Sequence, residues 1–211
     1  MTISLQNIIS LLNSQVIGEI TNEVIETISI DSRSLQNDGE TLFFALVGPN
    51  HDGHIYIEEL INKGVKAFVV HYIPENVKDK AVFLQVENTL DALQKIAAYY
   101  RGLFHFPVIG ITGSNGKTII KEWLNFLLSP DYNIIRSPTR YNSQVGVPIS
   151  VLGINEKHNF GIFEAGISTK EEMQKLQAII QPTIGILSNI GSAHDEGFEN
   201  IGEKIKEKLK L

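Results

Sequence analysis

Apolar side chains at Leu5, Ile8, Ile9 and Leu12 fall at helical spacing, which predicts a short opening helix with Thr2 or Ser4 placed to cap it. Beyond it the texture changes. Short apolar runs at residues 41–47, 66–71 and 81–86 alternate with helix-period stretches at 56–63 and 90–103, and that alternation predicts an α/β layer. A second unit opens at Phe106 and Pro107. Val108, Ile109, Gly110 and Ile111 make a buried-strand pattern, a glycine-rich loop follows, and residues 117–128 return to the helical period. Further strands are expected at 133–136, 160–164 and 183–187, with a helix at 168–180 that Pro182 follows. Residues 201–211 read as a helix rich in lysine and glutamate with no terminating signal.

The expected fold class is therefore α/β. Residues 1–105 would form a small α/β domain, and residues 106–211 a P-loop-type, mostly parallel sheet with flanking helices. A doubly wound sheet normally runs through more strands than the second half supplies, so that domain is expected to be incomplete and the chain a fragment of a longer protein. Composition narrows the function classes. Hydrophobic residues at 43% and charged residues at 20% describe a folding chain. A net charge of -6 argues against a nucleic-acid partner or an anionic membrane surface. The start Met1-Thr2-Ile3-Ser4 lacks a basic leader, and no apolar run reaches bilayer length, so a cytoplasmic protein without membrane insertion is expected. Cysteine is absent, which excludes disulfides and thiolate zinc sites. A monomer is expected.

The strongest chemical signal is Gly113-Ser114-Asn115-Gly116-Lys117-Thr118 between a strand and a helix. Glycines let successive backbone N–H groups converge on phosphate oxygens, beside a helix N-terminus that favours negative charge. Lys117 would reach the β- and γ-phosphates, and the Thr118 hydroxyl would face the magnesium ion that bridges them. The strict P-loop spacing asks for glycine at position 111, where Ile111 stands between Gly110 and Gly113. The bland alternative is a flexible turn with an incidental lysine. The loop alone does not say whether phosphate passes to water, a hydroxyl or a carboxylate.

Thr112 to Thr118, followed by Lys121-Glu122, resembles the shortened phosphate loop of the Mur ligases, the ATP-dependent amide-forming enzymes of peptidoglycan synthesis. The resemblance extends through Asp31-Ser32-Arg33, Asp52-Gly53-His54, Tyr141 to Pro148, Glu164-Ala165-Gly166 and Ala193 to Phe198. It implies ATP and Mg2+ as cofactors, with Gly113, Ser114, Asn115, Gly116, Lys117, Thr118 and the Ile119 N–H on the nucleotide. Ile119 and Ile120 stand where the family commonly carries further threonines. The resemblance also makes Thr118 and Glu164 ligands of magnesium and His194 the ligand of a second magnesium ion, and matches Lys208 to the lysine that these ligases carry as a carbamate. Read without it, Lys208 is one of four lysines on what looks like a solvated face. Ser32, Pro49, Asn50, His51 and Asn142 fall on the side of the UDP-sugar substrate.

Within the family, the Asn142 to Pro148 stretch is most similar to members that add D-alanyl-D-alanine to UDP-N-acetylmuramoyl-tripeptide. Members that add the third residue are the neighbouring alternative, and a P-loop kinase or nucleotide-triggered module is the rival outside the family. The family's third domain, which carries much of the amine site, is not read in this chain, so the chain alone is expected to bind weakly and not to ligate.

Overall fold

The computed structural model describes residues 2–20, 24–33, 35, 39–191 and 197–211, which divide into two compact units, Met1–Ile96 and Ala97–Leu211. The first unit runs β1 (Ile3–Ser4), α1 (Leu5–Leu12), β2 (Gln15–Ile17), β3 (Val24–Ile25), β4 (Thr27–Ser29), β5 (Thr41–Phe44), β6 (Val47–Gly48), β7 (His51–Asp52), α2 (Ile57–Asn62), β8 (Ala67–Val70), β9 (Val82–Gln85) and α3 (Thr89–Gly102), the last spanning the division. Of the two candidate caps it is Ser4 that acts: its hydroxyl accepts from the Asn7 N–H at 3.1 Å, and α1 buries Leu5, Ile8 and Leu12.

Among the described residues, the first unit's main sheet has the order β2-β9-β8-β5-β4, parallel except for the edge strand β2. Phe43, Phe68 and Phe83 are direct neighbours across β5, β8 and β9, with ring centroids 6.1 and 5.5 Å apart. Each is fully buried or nearly so, which stabilises the unit by roughly 1.5–3 kcal/mol per ring. The apolar run at 41–47 is not one strand. Leu46 turns back on Phe44, and Val47 and Gly48 pair instead with Asp52 and His51 in a separate ribbon, which leaves Val47 exposed.

The second unit carries β10 (Val108–Thr112), α4 (Lys117–Leu128), β11 (Ile134–Arg136), α5 (Gly146–Leu152), β12 (Phe160–Glu164), α6 (Glu172–Ile180), β13 (Ile184–Leu187) and α7 (Ile201–Lys208). Its strands lie in the order β11-β12-β10-β13, all parallel. β10 and β12 are buried along their whole length, as central parallel strands covered on both faces must be. Ile109, Ile111, Phe160 and Ile162 pack under Ile120, Leu124 and Leu128 of α4, which fixes that helix over the sheet. Arg101 is buried with its guanidinium donating to the carbonyls of Ile180 and Phe104, a cation at the C-terminal end of α6.

Three sequence expectations change here. The helix expected from residue 168 begins at Glu172, because the Glu172 carboxylate draws the Ser168 and Thr169 N–H groups into a turn. Helix α5 was not expected at all. It starts at Gly146, where a β-carbon would lie 2.6 Å from the Tyr141 Cα, so only glycine allows that approach. Finally, the lysine-rich tail is not a uniformly solvated face: Lys204 and Lys208 are 1% and 3% exposed, while Lys206 and Lys210 do face solvent.

Candidate functional site

The register Ile111↔Glu164 brings the ends of β10 and β12 side by side, at the carboxyl edge where α/β sheets hold ligands. The loop from Gly113 to Gly116 crosses that edge. Gly113 sits at φ +141° with its missing β-carbon 1.9 Å from Ser188 Oγ, so no larger residue fits. Gly116, at φ +83°, is the N-cap of α4.

The loop rests on the segment that follows β13. Ser188 N–H donates to the Thr112 carbonyl at 2.9 Å and Ser188 Oγ to the Asn115 carbonyl at 2.6 Å. Asn189 accepts from Ser114 N–H through its carbonyl at 3.0 Å and from Asn115 N–H through Oδ1 at 2.8 Å. Gly191 N–H donates to Ser114 Oγ at 2.9 Å. The Ser114 and Asn115 amides, expected to face phosphate, are thus turned inward. Ser188 and Asn189 were missed as supports, although two polar residues directly after an expected strand are a readable signal.

What faces outward is the first turn of α4. Its N–H groups have no carbonyl within the helix to reach, and among the described residues no side chain caps them, whereas Ser4 caps α1 and Asn200 caps α7. No acidic residue occupies that turn. An anion at this end meets open N–H groups and the positive end of the helix dipole.

Lysines add to that field. Lys117 Nζ donates to the Gly113 carbonyl at 2.8 Å, Lys208 Nζ to the same oxygen at 3.4 Å, and Lys204 Nζ to the Gly191 carbonyl at 2.6 Å. Burial, with the nearby charges of Lys117 and Lys204, pulls the Lys208 ammonium down to about 8. Burial also lowers Lys117, with Glu164 opposing the shift.

Thr118 Oγ1 donates to Glu164 Oε2 at 3.0 Å. The other carboxylate oxygen, Oε1, lies 2.9 Å from Lys121 Nζ, a contact that is ionic rather than a well-aligned hydrogen bond. Lys121 is wholly buried and also donates to the Ser137 carbonyl at 2.7 Å. A threonine hydroxyl and a carboxylate are the hard oxygen donors Mg2+ prefers, and the ion usually takes one or two carboxylates, leaving its other positions to phosphate and water. The pair fits such a group. His194, expected to hold a second magnesium ion, lies outside the described residues. Asn142 is brought to the same edge: its carbonyl accepts from Gly166 N–H at 2.8 Å, two residues past Glu164. Ile119 is exposed in the first turn of α4.

In the first unit, Ser32 is buried, with its carbonyl accepting from Lys63 Nζ at 3.3 Å. Beside it, Arg33 grips Asp31 through two hydrogen bonds, of 2.9 and 2.7 Å, and holds that carboxyl at about 2. Pro49 and Asn50 form the exposed tip of the β6–β7 ribbon, and the His51 ring stacks on Tyr56 at 5.8 Å. The Asp52-Gly53-His54 segment is a latch. His54 is buried, its Nδ1 lies 2.6 Å from Asp52 Oδ1, its Nε2 accepts from His71 N–H at 3.0 Å, and Tyr72 OH donates to Asp52 Oδ2 at 2.8 Å. That network assigns the proton to Nδ1, and burial lowers the ring's pKa despite Asp52, so His54 is neutral.

Two family models match: "Mur ligase middle domain" over residues 111–211 and "Mur ligase family, catalytic domain" over residues 24–101. UDP-N-acetylmuramoyl-tripeptide--D-alanyl-D-alanine ligase of Borreliella burgdorferi is 34% identical over 97% of this chain and 46% of that protein. The ligase of the same name from Synechocystis sp. is 38% identical over 81% of this chain and 37% of its own length. The chain thus spans less than half the length of these curated relatives. A crystal structure of MurF from Acinetobacter baumannii superposes with a TM-score of 0.91 at 26% identity, covering 100% of this chain and 46% of that one. MurF ligase from Thermotoga maritima, solved in complex with ADP, gives 0.78 at 29% identity, covering 87% and 42%. No helix among the described residues is long and apolar enough to cross a membrane.

Proposed function

This chain belongs to the Mur ligase family, and on that premise we propose that it is part of an ATP-dependent ligase that joins D-alanyl-D-alanine to UDP-N-acetylmuramoyl-tripeptide in peptidoglycan precursor synthesis. One observation carries the nucleotide half of the reading: the open first turn of α4, with the Thr118 hydroxyl 3.0 Å from the Glu164 carboxylate beside it. The names of the relatives support the choice of peptide substrates.

In this reading the N–H groups of Lys117, Thr118 and Ile119 bind the terminal phosphates of ATP, within the loop Gly113, Ser114, Asn115 and Gly116 provide. The Lys117 ammonium leaves the Gly113 carbonyl and moves onto a phosphate oxygen. Thr118 and Glu164 would hold Mg2+ and His194 a second Mg2+, charges that when bound neutralise phosphate. The substrate carboxylate takes the γ-phosphoryl group as an acyl phosphate, and the amine of D-alanyl-D-alanine displaces phosphate to form the amide. No protein nucleophile is needed; orientation and charge stabilisation carry the acceleration. Lys208, poised near neutrality, adds through its free amine to carbon dioxide, forming an N–C bond and releasing a proton to solvent. The carbamate would turn a cation beside the phosphates into an anion facing the metal. Ser32, Pro49, Asn50, His51 and Asn142 would contact the UDP-muramoyl substrate. The protein would act as a monomer in the cytoplasm, where ATP is supplied.

Phosphate release from ATP by the complete gene product tests this. Release should require both UDP-N-acetylmuramoyl-tripeptide and D-alanyl-D-alanine. Release indifferent to either peptide substrate would refute the ligase reading, and activity with a dipeptide substrate and a third residue instead would reassign the step.

A further inference from the structure

We propose that Lys121 is a positioning residue for Glu164, fixing the orientation in which its carboxylate presents an oxygen to Thr118 and a nucleotide-bound cation. The inference rests on the reading of Glu164 as a metal ligand and adds a residue to it.

Lysine is almost never fully buried unless paired, and Lys121 has no exposed surface. Its place on α4 makes the charge more telling. Lys121 leads the row that continues through Leu124 and Leu128, the face that packs on Ile109, Ile111, Phe160 and Ile162. An apolar side chain would serve packing alone there at least as well, because buried ion pairs often contribute no more stability than well-packed hydrophobic groups. Thr118 and Lys121 stand three residues apart on the same face, so both point at the end of β12.

The geometry divides the carboxylate between them. Lys121 Nζ takes Oε1 at 2.9 Å and Thr118 Oγ1 takes Oε2 at 3.0 Å. Ser137, just past β11, pins both partners: its carbonyl accepts from Lys121 at 2.7 Å, and its hydroxyl accepts from Glu164 N–H at 3.1 Å. Glu122 Oε1 supplies a third contact to the ammonium at 3.2 Å. With the ammonium held by the Ser137 carbonyl and Glu122 as well, its contact with Glu164 sets the plane of that carboxylate. One oxygen is left on the Thr118 side.

The test measures ADP affinity by calorimetry with Mg2+ present and with Mg2+ chelated, for the unaltered protein, Lys121→Met, Glu164→Gln and the double variant. Melting curves accompany each titration. Lys121→Met is expected to lose about 10- to 100-fold of the Mg2+-dependent gain in affinity, the cost typical of removing a group that orients a metal ligand. Its Mg2+-free affinity should stay within about twofold, and the double variant should lose no more than Glu164→Gln alone, as groups acting in one unit do. A role in folding only would instead lower both affinities together. If Glu164→Gln keeps the Mg2+ gain, the ligand reading itself fails. If Glu164→Gln loses it and Lys121→Met keeps it, the positioning role is overturned and the ligand reading stands. Should Lys121→Met not fold, Lys121→Gln, which removes the charge but keeps a polar donor, enters the same comparison: an intact Mg2+ gain overturns the proposal, and a selective loss supports it.

Discussion

The ammonium groups of Lys117 and Lys208, distant in sequence, converge on one acceptor, the carbonyl oxygen of Gly113, at 2.8 and 3.4 Å. Two cations sharing one neutral oxygen repel each other. The Lys117 charge lowers the Lys208 pKa on top of what burial does, and a bound polyphosphate would relieve that repulsion. The arrangement is a site strained toward anions.

Lys117→Ala should therefore act in two ways. Losing a charge-assisted contact worth roughly 1.5–3 kcal/mol should weaken ADP binding by about 10- to 100-fold in calorimetry. It should also raise the Lys208 pKa above about 8, visible by NMR of labelled lysine side chains. An unchanged Lys208 titration would mean the two charges do not interact.

The depressed Lys208 pKa has a definite sign in stability. Between about 8 and the ordinary lysine value of 10.5, the unfolded chain keeps a proton that the folded chain has released, so this group's contribution to stability rises as pH rises through that window. Denaturant midpoints of the unaltered protein relative to Lys208→Met should climb from pH 8 to pH 10. In parallel, 13C-carbon dioxide at fixed dissolved concentration should give a carbamate resonance that grows as pH passes about 8 and vanishes in Lys208→Met.

Gly113→Ala and Gly116→Ala should differ sharply. At Gly113 the added carbon meets Ser188 Oγ at 1.9 Å in a positive-φ conformation, so the loop must rebuild. At Gly116 it meets nothing closer than 3.9 Å and carries only the left-handed backbone cost of about 1–2 kcal/mol. Thermal melts and ADP titration should rank Gly113→Ala as the more damaging on both counts; equal effects would argue against the observed seating of the loop on Ser188.

The His54 latch predicts acid sensitivity. Because the folded-state pKa lies below the ordinary 6.5, the unfolded chain takes up a proton first as pH falls, and stability is lost below about pH 6.5. His54→Gln should flatten that dependence while lowering stability at neutral pH, in urea melts at graded pH. A slope unchanged by the substitution would place the acid sensitivity elsewhere.

Periodicity located α4 and β12 to the residue, because each meets one uniform environment, a helix face on a sheet or a strand buried on both sides. It failed where tertiary contacts decide. Helix α5 hides in a stretch whose Gly146 and Pro148 read as breakers, yet the glycine is there for Tyr141 and the proline sits in the first turn, where the missing N–H costs little. Lys204 and Lys208 read as solvated because a pattern cannot see the oxygens that Gly191 and Gly113 aim at them. The phosphate loop was legible as a motif, but its inward-turned Ser114 and Asn115 amides were not, since their partner Asn189 follows a different strand.

The most direct measurement is a titration of 15N-labelled protein with MgADP, followed residue by residue. The amide resonances of Lys117, Thr118 and Ile119 should move most, with Ser114 and Asn115 moving less because Asn189 already holds their N–H groups. Saturable shifts centred anywhere other than the first turn of α4, or none at millimolar MgADP, would contradict a nucleotide site at this edge of the sheet.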